Sequence, residues 1–338
     1  MSRSAAFFTD QSVPEQLVDF LLGPIRWQLI SVALDLCLFD KTIHPVSSQQ
    51  LAAELSLAHE PTTLLLNALC GLDILTKKNE NYHTNSVISP YLISTSDCSM
   101  RDMLRHLSEV KHSDGETIKH ILKTNQSTHL SSTLKESDFW EKQLHSLYSF
   151  HRSIGSHIAL TALQNLPQWR QATSILDLGA GSECLSQCIF NTRPDIQVTL
   201  FDLPNCTHHI CQRLPEHSPT RIIAGDFNID SLGGPYHIIW ASMSLYYANN
   251  IRSLLKKIKQ SLEKGGVFVS FHEDLDKDRI LPERHTTGRF LPAISGNDLS
   301  FSDGHIADAL LSTGFFSIES KVVSTPMGDM RLDIAYSQ

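Results

Sequence analysis

Three carboxylates in the C-terminal half stand at the ends of short apolar runs. Asp177 falls in Ser174-Ile175-Leu176-Asp177-Leu178, Asp202 closes Gln197–Phe201, and Asp226 follows Arg221–Ala224. Runs of this length and composition, bounded by polar residues, read as strands. Gly179 and Gly181 come directly after the first run, where a chain without side chains can approach a ligand closely. Asp202 lies 25 residues beyond Asp177, at the position where an acid can accept from both hydroxyls of a ribose. Gly225-Asp226-Phe227 offers a carboxylate for an adenine amino group and a ring to stack on the base. Together the three strand ends define one acidic crevice.

The sign of that crevice selects among cofactors. Glu183 occupies the place of the third glycine of a dinucleotide fingerprint, and a carboxylate there repels a pyrophosphate. S-adenosylmethionine has no phosphate and carries a sulfonium and an ammonium, so it suits this crevice better than NAD.

The elements that position these residues alternate. Leu185–Asn191 is predicted helical, Tyr236–Ala241 a fourth strand, Ile251–Leu262 a helix ended by Gly265-Gly266, and Val267–Phe271 a fifth strand. Strand–helix alternation with short links predicts an α/β fold, a Rossmann-like domain with a parallel-rich sheet covered on both faces. Upstream, Val13–Phe39 is a long apolar helical stretch with apolar positions on more than one face, which predicts burial on several sides and a break or kink at Pro24. Gln49–Leu55 follows a serine N-cap, Pro61–Leu72 is a second helix, and Ile74–Thr84 reads as a hairpin. Helix, helix, hairpin is the winged-helix order. The second helix has no Arg or Lys, so it lacks the donors that read DNA and points to a protein–protein surface. Between the halves, Phe139–Leu166 predicts a helix pair, preceded by a polar run over His112–Glu136 that reads as a connector or lid. The predicted divisions are 1–100, 101–168 and 169–338.

The bulk numbers set limits. The chain has 338 residues, 41% apolar and 19% charged, with a formal net charge of -8. That charge disfavours a nucleic-acid partner. No continuous apolar run reaches the length of a membrane span, and Met1–Asp10 lacks the apolar core of a secretory signal. The seven cysteines are scattered without C-x-x-C pairs, which predicts reduced thiols, no zinc and a cytoplasmic setting.

Taken together, the chain resembles the S-adenosylmethionine-dependent small-molecule O-methyltransferases of the plant caffeate and bacterial polyketide type. Leu29–Phe39 resembles the dimerisation helix of that family and Ser47–Leu92 its winged helix. Ile175–Ser182 is similar to its glycine motif, Phe201-Asp202-Leu203-Pro204 to its most diagnostic tetrapeptide, and Gly225-Asp226-Phe227 to its adenine motif. The resemblance implies that Gly179, Gly181, Asp202, Leu203, Asp226, Phe227 and Ser242 hold the cofactor. It further implies a small-molecule acceptor and a homodimer formed through the N-terminal domain.

One stretch departs from the family. A Lys after the fourth strand and a His four residues later are replaced by Ser242 and Tyr246, so the catalytic base is absent. A positioned base contributes roughly 3–5 kcal/mol, whereas in-line positioning can contribute about 7–11 kcal/mol. Transfer without a base is therefore feasible for an acceptor that ionises easily. Tyr246 and His151 are the candidate catalytic residues, with Arg152, His272 and Glu273 as further groups near the pocket. Two other functions remain open: a non-methylating pericyclic or decarboxylative enzyme, and a winged-helix regulator with the cofactor as effector. The acceptor pocket is expected from Phe139–His157 and Arg279–Ser300. The charge of Leu281–Phe290 points to a polar or anionic acceptor.

Overall fold

The structure, a computed structural model, describes residues 12–111, 114–125, 137–296 and 298–337. Two compact units divide the chain, Met1–Arg101 and Asp102–Gln338. The predicted connector over His112–Glu136 lies mostly outside the described residues, as do the side chains of Phe139 and Trp140.

In the first unit, helix α1 (Ser12–Asp35) runs through Pro24 as one helix, so of the predicted break or kink the break does not occur. Proline removes one helical N–H and frees the carbonyl four residues earlier. Here that carbonyl belongs to Phe20, on a segment open to water, where Phe20 is 68% exposed. The predicted burial of this stretch also fails over its first two turns and beyond. Val13, Leu17, Val18, Leu21 and Ile25 are exposed, and the helix is buried only towards its end, at Ala33 and Leu34. The same helix bears on the membrane reading. Within the 23 residues Val13–Asp35, an 18-residue window has a mean hydropathy of 1.4, enough by length and composition alone to cross a bilayer. Charges at Asp19 and Arg26 interrupt the apolar run without lowering its average far enough to exclude a span.

Helices α2 (Ser48–Glu54) and α3 (His59–Gly71) are followed by strands β2 (Leu75–Lys78) and β3 (Asn81–Thr84). Ser47 caps α2 by accepting from the Gln50 amide. With β1 (Val46–Ser47), these strands form a three-stranded antiparallel sheet in the order β1-β3-β2. Leu34, Leu38, Leu51, Leu66, Leu69, Leu75 and Tyr82 are almost fully buried in this unit. Asp40 pairs with Arg101 at 2.9 Å, and Arg101 also donates to the Leu34 carbonyl.

The second unit is built on a seven-stranded sheet. Its strands are β4 (Ser174–Leu178), β5 (Gln197–Asp202), β6 (Arg221–Ala224), β7 (Tyr236–Ser242), β8 (Leu262–His272), β11 (Ser317–Thr325) and β12 (Gly328–Tyr336); β9 (Asp274–Leu275) and β10 (Phe301–Ser302) form a separate parallel pair. The order β11-β12-β8-β7-β4-β5-β6 is parallel from β6 to β8 and antiparallel at β12 and β11. Alternation along the strands fills both faces. Ile175, Val198, Ile238 and Val269 face one core, and Leu176, Phe201, Ile239 and Phe268 the other. The helix after β7 ends at Gln260, and Gly265 and Gly266 lie inside β8 rather than closing that helix. A Cβ on Gly266 would sit 2.9 Å from the Glu263 carbonyl and 3.0 Å from that of Tyr236, a spacing only glycine permits.

The strand order reverses at β4, which has β5 on one side and β7 on the other. In open α/β sheets, ligands bind at the carboxyl ends of the strands at that reversal. Asp177, Gly179, Asp202 and Ser242 all lie at that end.

Candidate functional site

The turn after β4 is shaped by its glycines. Gly179 and Gly181 have φ of +74° and +65°. A Cβ would lie 2.5 Å from Ser244 Cβ at the first and 2.5 Å from Leu147 Cδ2 at the second. The turn is tied to β5 through the Gly179 amide, which donates to the Phe201 carbonyl at 2.8 Å. Asp202 completes the cradle. Its Oδ2 accepts from the Gly181 amide at 2.8 Å and its Oδ1 from the Leu203 amide at 2.7 Å. Each oxygen keeps a lone pair for a ligand hydroxyl. Burial raises the Asp202 pKa, opposed by those two amides. The Leu203 side chain is exposed.

Asp177 is 4% exposed and lines a cleft with Gly179, His151, Ser242 and Met243. Burial, with Asp202 nearby, pushes its pKa up to about 8. An acid held partly neutral by burial beside a second acid is a site short of positive charge. A cofactor bearing a sulfonium and an ammonium supplies that charge, and the glycine cradle leaves backbone open to it.

Asp226 and Phe227 follow β6. Asp226 Oδ1 accepts from the amide and the side-chain Nδ2 of Asn228, at 2.8 and 2.9 Å. Phe227 packs partly buried against the second core. Asn228 also reaches the loop after β7. Its Nδ2 donates to the Tyr247 carbonyl at 3.2 Å and its Oδ1 accepts from the Asn249 amide at 2.8 Å. The loop holding Asp226 is therefore stapled to the loop holding Tyr246.

His151 lies on one turn of π-helix, His151–Gly155. Its Nδ1 is 2.8 Å from Ser182 Oγ, and burial lowers its pKa to about 4. It is neutral at pH 7 and weakly basic. Arg152 places its guanidinium over the Tyr148 ring, 5.5 Å from the centroid.

His272 is fully engaged. Its Nε2 accepts from the Ser244 and Leu245 amides at 3.1 and 3.0 Å. Nδ1 therefore carries the proton and donates to Ser270 Oγ at 2.9 Å. Burial pulls its pKa down to about 3, which preserves this arrangement at neutral pH. The ring clamps the turn that carries Tyr246, helped by the left-handed Met243 at φ +52°.

Tyr246 packs against the rings of Tyr247, His272 and Phe301. Burial raises its hydroxyl pKa, and Arg289 within hydrogen-bonding reach opposes that rise. Tyr246 thus holds its proton and acts as a donor. Glu273 pairs with Arg289 Nε at 2.6 Å and lies 3.6 Å from His285 Nδ1. The buried His285 donates from Nε2 to the Asp329 carbonyl at 2.6 Å. Glu273 therefore holds Arg289 and stands beside His285.

Sequence reasoning did not single out Arg289, Lys111, His285 or Asn228. The charged character of Leu281–Phe290 was the one signal for Arg289. Nothing in Lys111 by itself distinguishes it from a surface lysine. All seven cysteines are unpaired thiols, and among the described residues no group of three or more His, Cys, Asp or Glu could hold a metal ion.

Known proteins resemble this chain in sequence and in fold. The model of the O-methyltransferase domain family matches residues 109–288, more than half of the chain. The chain is 23% identical over 294 residues to chicken acetylserotonin O-methyltransferase, covering 81% of this chain and 84% of that protein. It is 20% identical over 287 residues to a human probable bifunctional dTTP/UTP pyrophosphatase/methyltransferase protein, covering 80% of this chain but only 46% of that longer protein. The crystal structure of human N-acetylserotonin methyltransferase in complex with SAM superposes with a TM-score of 0.79 at 19% identity, covering 98% of this chain and 99% of the other. That likeness establishes the fold. The family match over residues 109–288, which take in β4 to β8 and the glycine turn, places the chain in the O-methyltransferase family of S-adenosylmethionine-dependent enzymes.

Proposed function

We propose that this chain methylates a small molecule, O-methyl transfer being the expected reaction, without the histidine base of its family. The observation that carries this reading is the pairing of an intact acidic cofactor crevice with Tyr246 in place of the base. When bound, S-adenosylmethionine supplies an electrophilic methyl group and departs as S-adenosylhomocysteine. Gly179 and Gly181 admit it to the backbone, Asp202 accepts from its ribose, and Asp226 and Phe227 take the adenine. Ser242 lines the cleft with Asp177 and Gly179, and Leu203 lies exposed directly after Asp202. Asp177 faces the positive end. Tyr246 keeps its proton and donates a hydrogen bond that orients the acceptor. His151, neutral and weakly basic, serves as a hydrogen-bonding wall rather than as a base.

In the same reading the first unit serves as a winged-helix dimerisation domain, and the exposed face of α1 meets a second copy of the chain. Stable interfaces bury about 800 Å² per partner, and a 24-residue helix has the length to supply a large part of that.

The test is to incubate the purified chain with methyl-labelled cofactor and a panel of acidic phenols, carboxylic acids and thiols, following S-adenosylhomocysteine. Turnover that Asp202→Ala lowers, together with weaker cofactor binding, is the expected result. Unchanged cofactor affinity in Asp202→Ala would show the site to be misplaced. Cofactor binding without release across the panel would favour the non-methylating reading, which the missing base also permits.

A further inference from the structure

Beyond the carboxyl ends of β7 and β8, Tyr246, Glu273, Arg289 and Lys111 converge. Glu273 is the one carboxylate among the four. It takes Arg289 Nε at 2.6 Å, while the rest of the guanidinium lies toward the Tyr246 hydroxyl and ring, 5.9 Å from the ring centroid. Lys111 brings a second cation. Its Nζ lies 2.8 Å from where a Cβ on Gly288 would stand, which puts the ammonium against the residue next to Arg289. Lys111 feels both neighbours: its pKa is lowered by burial first, with Glu273 opposing and Arg289 adding to the fall.

The charges do not cancel. Two cations face one carboxylate, and that carboxylate is already shared with Arg289 and His285. A guanidinium has five N–H donors in a planar fork. One is spent on Glu273, which leaves donors on the side of the Tyr246 ring for a further acceptor. The ammonium of Lys111 has no ion-pair partner within 4.0 Å among the described residues. The Tyr246 hydroxyl, protonated, adds a neutral donor to the same corner. Three donor groups and a net positive balance beside a carboxylate-anchored arginine make a receptor for an anionic oxygen.

We propose that Arg289, Lys111 and Tyr246 form the recognition site for an ionised oxygen group on the acceptor, a carboxylate or an acidic phenol, and that this pair of cations replaces the missing base. The inference rests on the methyltransferase reading and adds the acceptor class to it. Flanking cations favour the ionised form of an acid. The acceptor thus sheds its proton to water before it docks, and no protein group has to take it. Glu273 and His285 are positioning residues: they hold Arg289 and touch no substrate.

The test uses the full chain saturated with S-adenosylhomocysteine and matched aromatic probes, salicylate against salicylamide and benzoate against benzamide, by calorimetry. The expected result is at least tenfold tighter binding of the anions. Arg289→Gln should abolish that preference, and Arg289→Lys should restore part of it. Lys111→Gln, which removes the charge and keeps a donor, should reduce it several-fold. Affinity for S-adenosylhomocysteine should stay within twofold in Lys111→Gln, which separates this site from the cofactor site. Equal binding of anion and amide, no binding of either, or a preference that survives both Arg289→Gln and Lys111→Gln overturns the proposal. Failure to bind S-adenosylhomocysteine in the unaltered chain would instead bring down the methyltransferase reading itself.

Discussion

At the scale of single residues, Asp177 and Tyr246 have opposite tasks. Asp177 holds its proton up to about pH 8 because it is buried beside Asp202. A cationic cofactor favours the ionised form, so affinity for S-adenosylmethionine should rise with pH through that value. Asp177→Asn should flatten the dependence and weaken binding tenfold or more at pH 8.5, read by calorimetry. The sign for stability is the reverse. The unfolded carboxyl ionises near 3.8 while the folded one keeps its proton to about 8, so its contribution to stability falls as pH rises between those values. In the cofactor-free protein, Asp177→Asn should therefore gain in melting temperature over the unaltered chain as pH rises from 4 to 8. Tyr246 carries the other prediction. If it only donates a hydrogen bond to the acceptor, Tyr246→Phe should lower kcat/KM less than tenfold, since one such bond is worth about 0.5–1.5 kcal/mol. A loss of several hundredfold would give it a chemical role. The acids were legible in the sequence because each closes its own strand. The Arg289 cluster was not, because its members come from four separate segments whose meeting depends on packing.

At the scale of elements, the sheet was readable where strands are apolar and unreadable where they are not. Strands β4, β5 and β7 announce themselves through Ile175, Val198 and Ile239 and their neighbours. The hairpin of β11 and β12 went unread. The outer strand, Ser317–Thr325, carries Glu319, Ser320 and Lys321 and is largely exposed, the composition of an edge that resists pairing with other chains. Helix α1 shows the converse. Its apolar content was legible, but its exposure was misjudged, because hydrophobic composition predicts burial without naming what covers the surface. The dimer reading makes this specific. Replacing Leu17 and Leu21, which are 63% and 76% exposed, with glutamate should convert a dimer into a monomer, measured by light scattering after size exclusion. The melting temperature of the second unit should hold within a few degrees. A monomeric starting protein that floats with lipid vesicles would assign α1 to a bilayer instead.

At the scale of the whole molecule, the likeness to solved methyltransferase structures covers 98% of the chain. On the proposed reading, without a base, binding energy would serve mainly to orient reactants, and orientation can supply much of the rate. The Asn228 staple has a consequence for turnover. It joins the loop of Asp226 to the loop of Tyr246 through the Tyr247 carbonyl and the Asn249 amide. If Asp226 and Phe227 take the adenine as proposed, seating it also sets the wall against which the acceptor lies. The two ligands should then load in sequence, nucleoside first and acceptor second, with the methylated product leaving before the spent nucleoside. In steady-state kinetics, S-adenosylhomocysteine should compete with S-adenosylmethionine and inhibit non-competitively against the acceptor. Asn228→Ala should loosen that order toward random addition, and an unaltered inhibition pattern in the variant would leave the two loops kinetically independent.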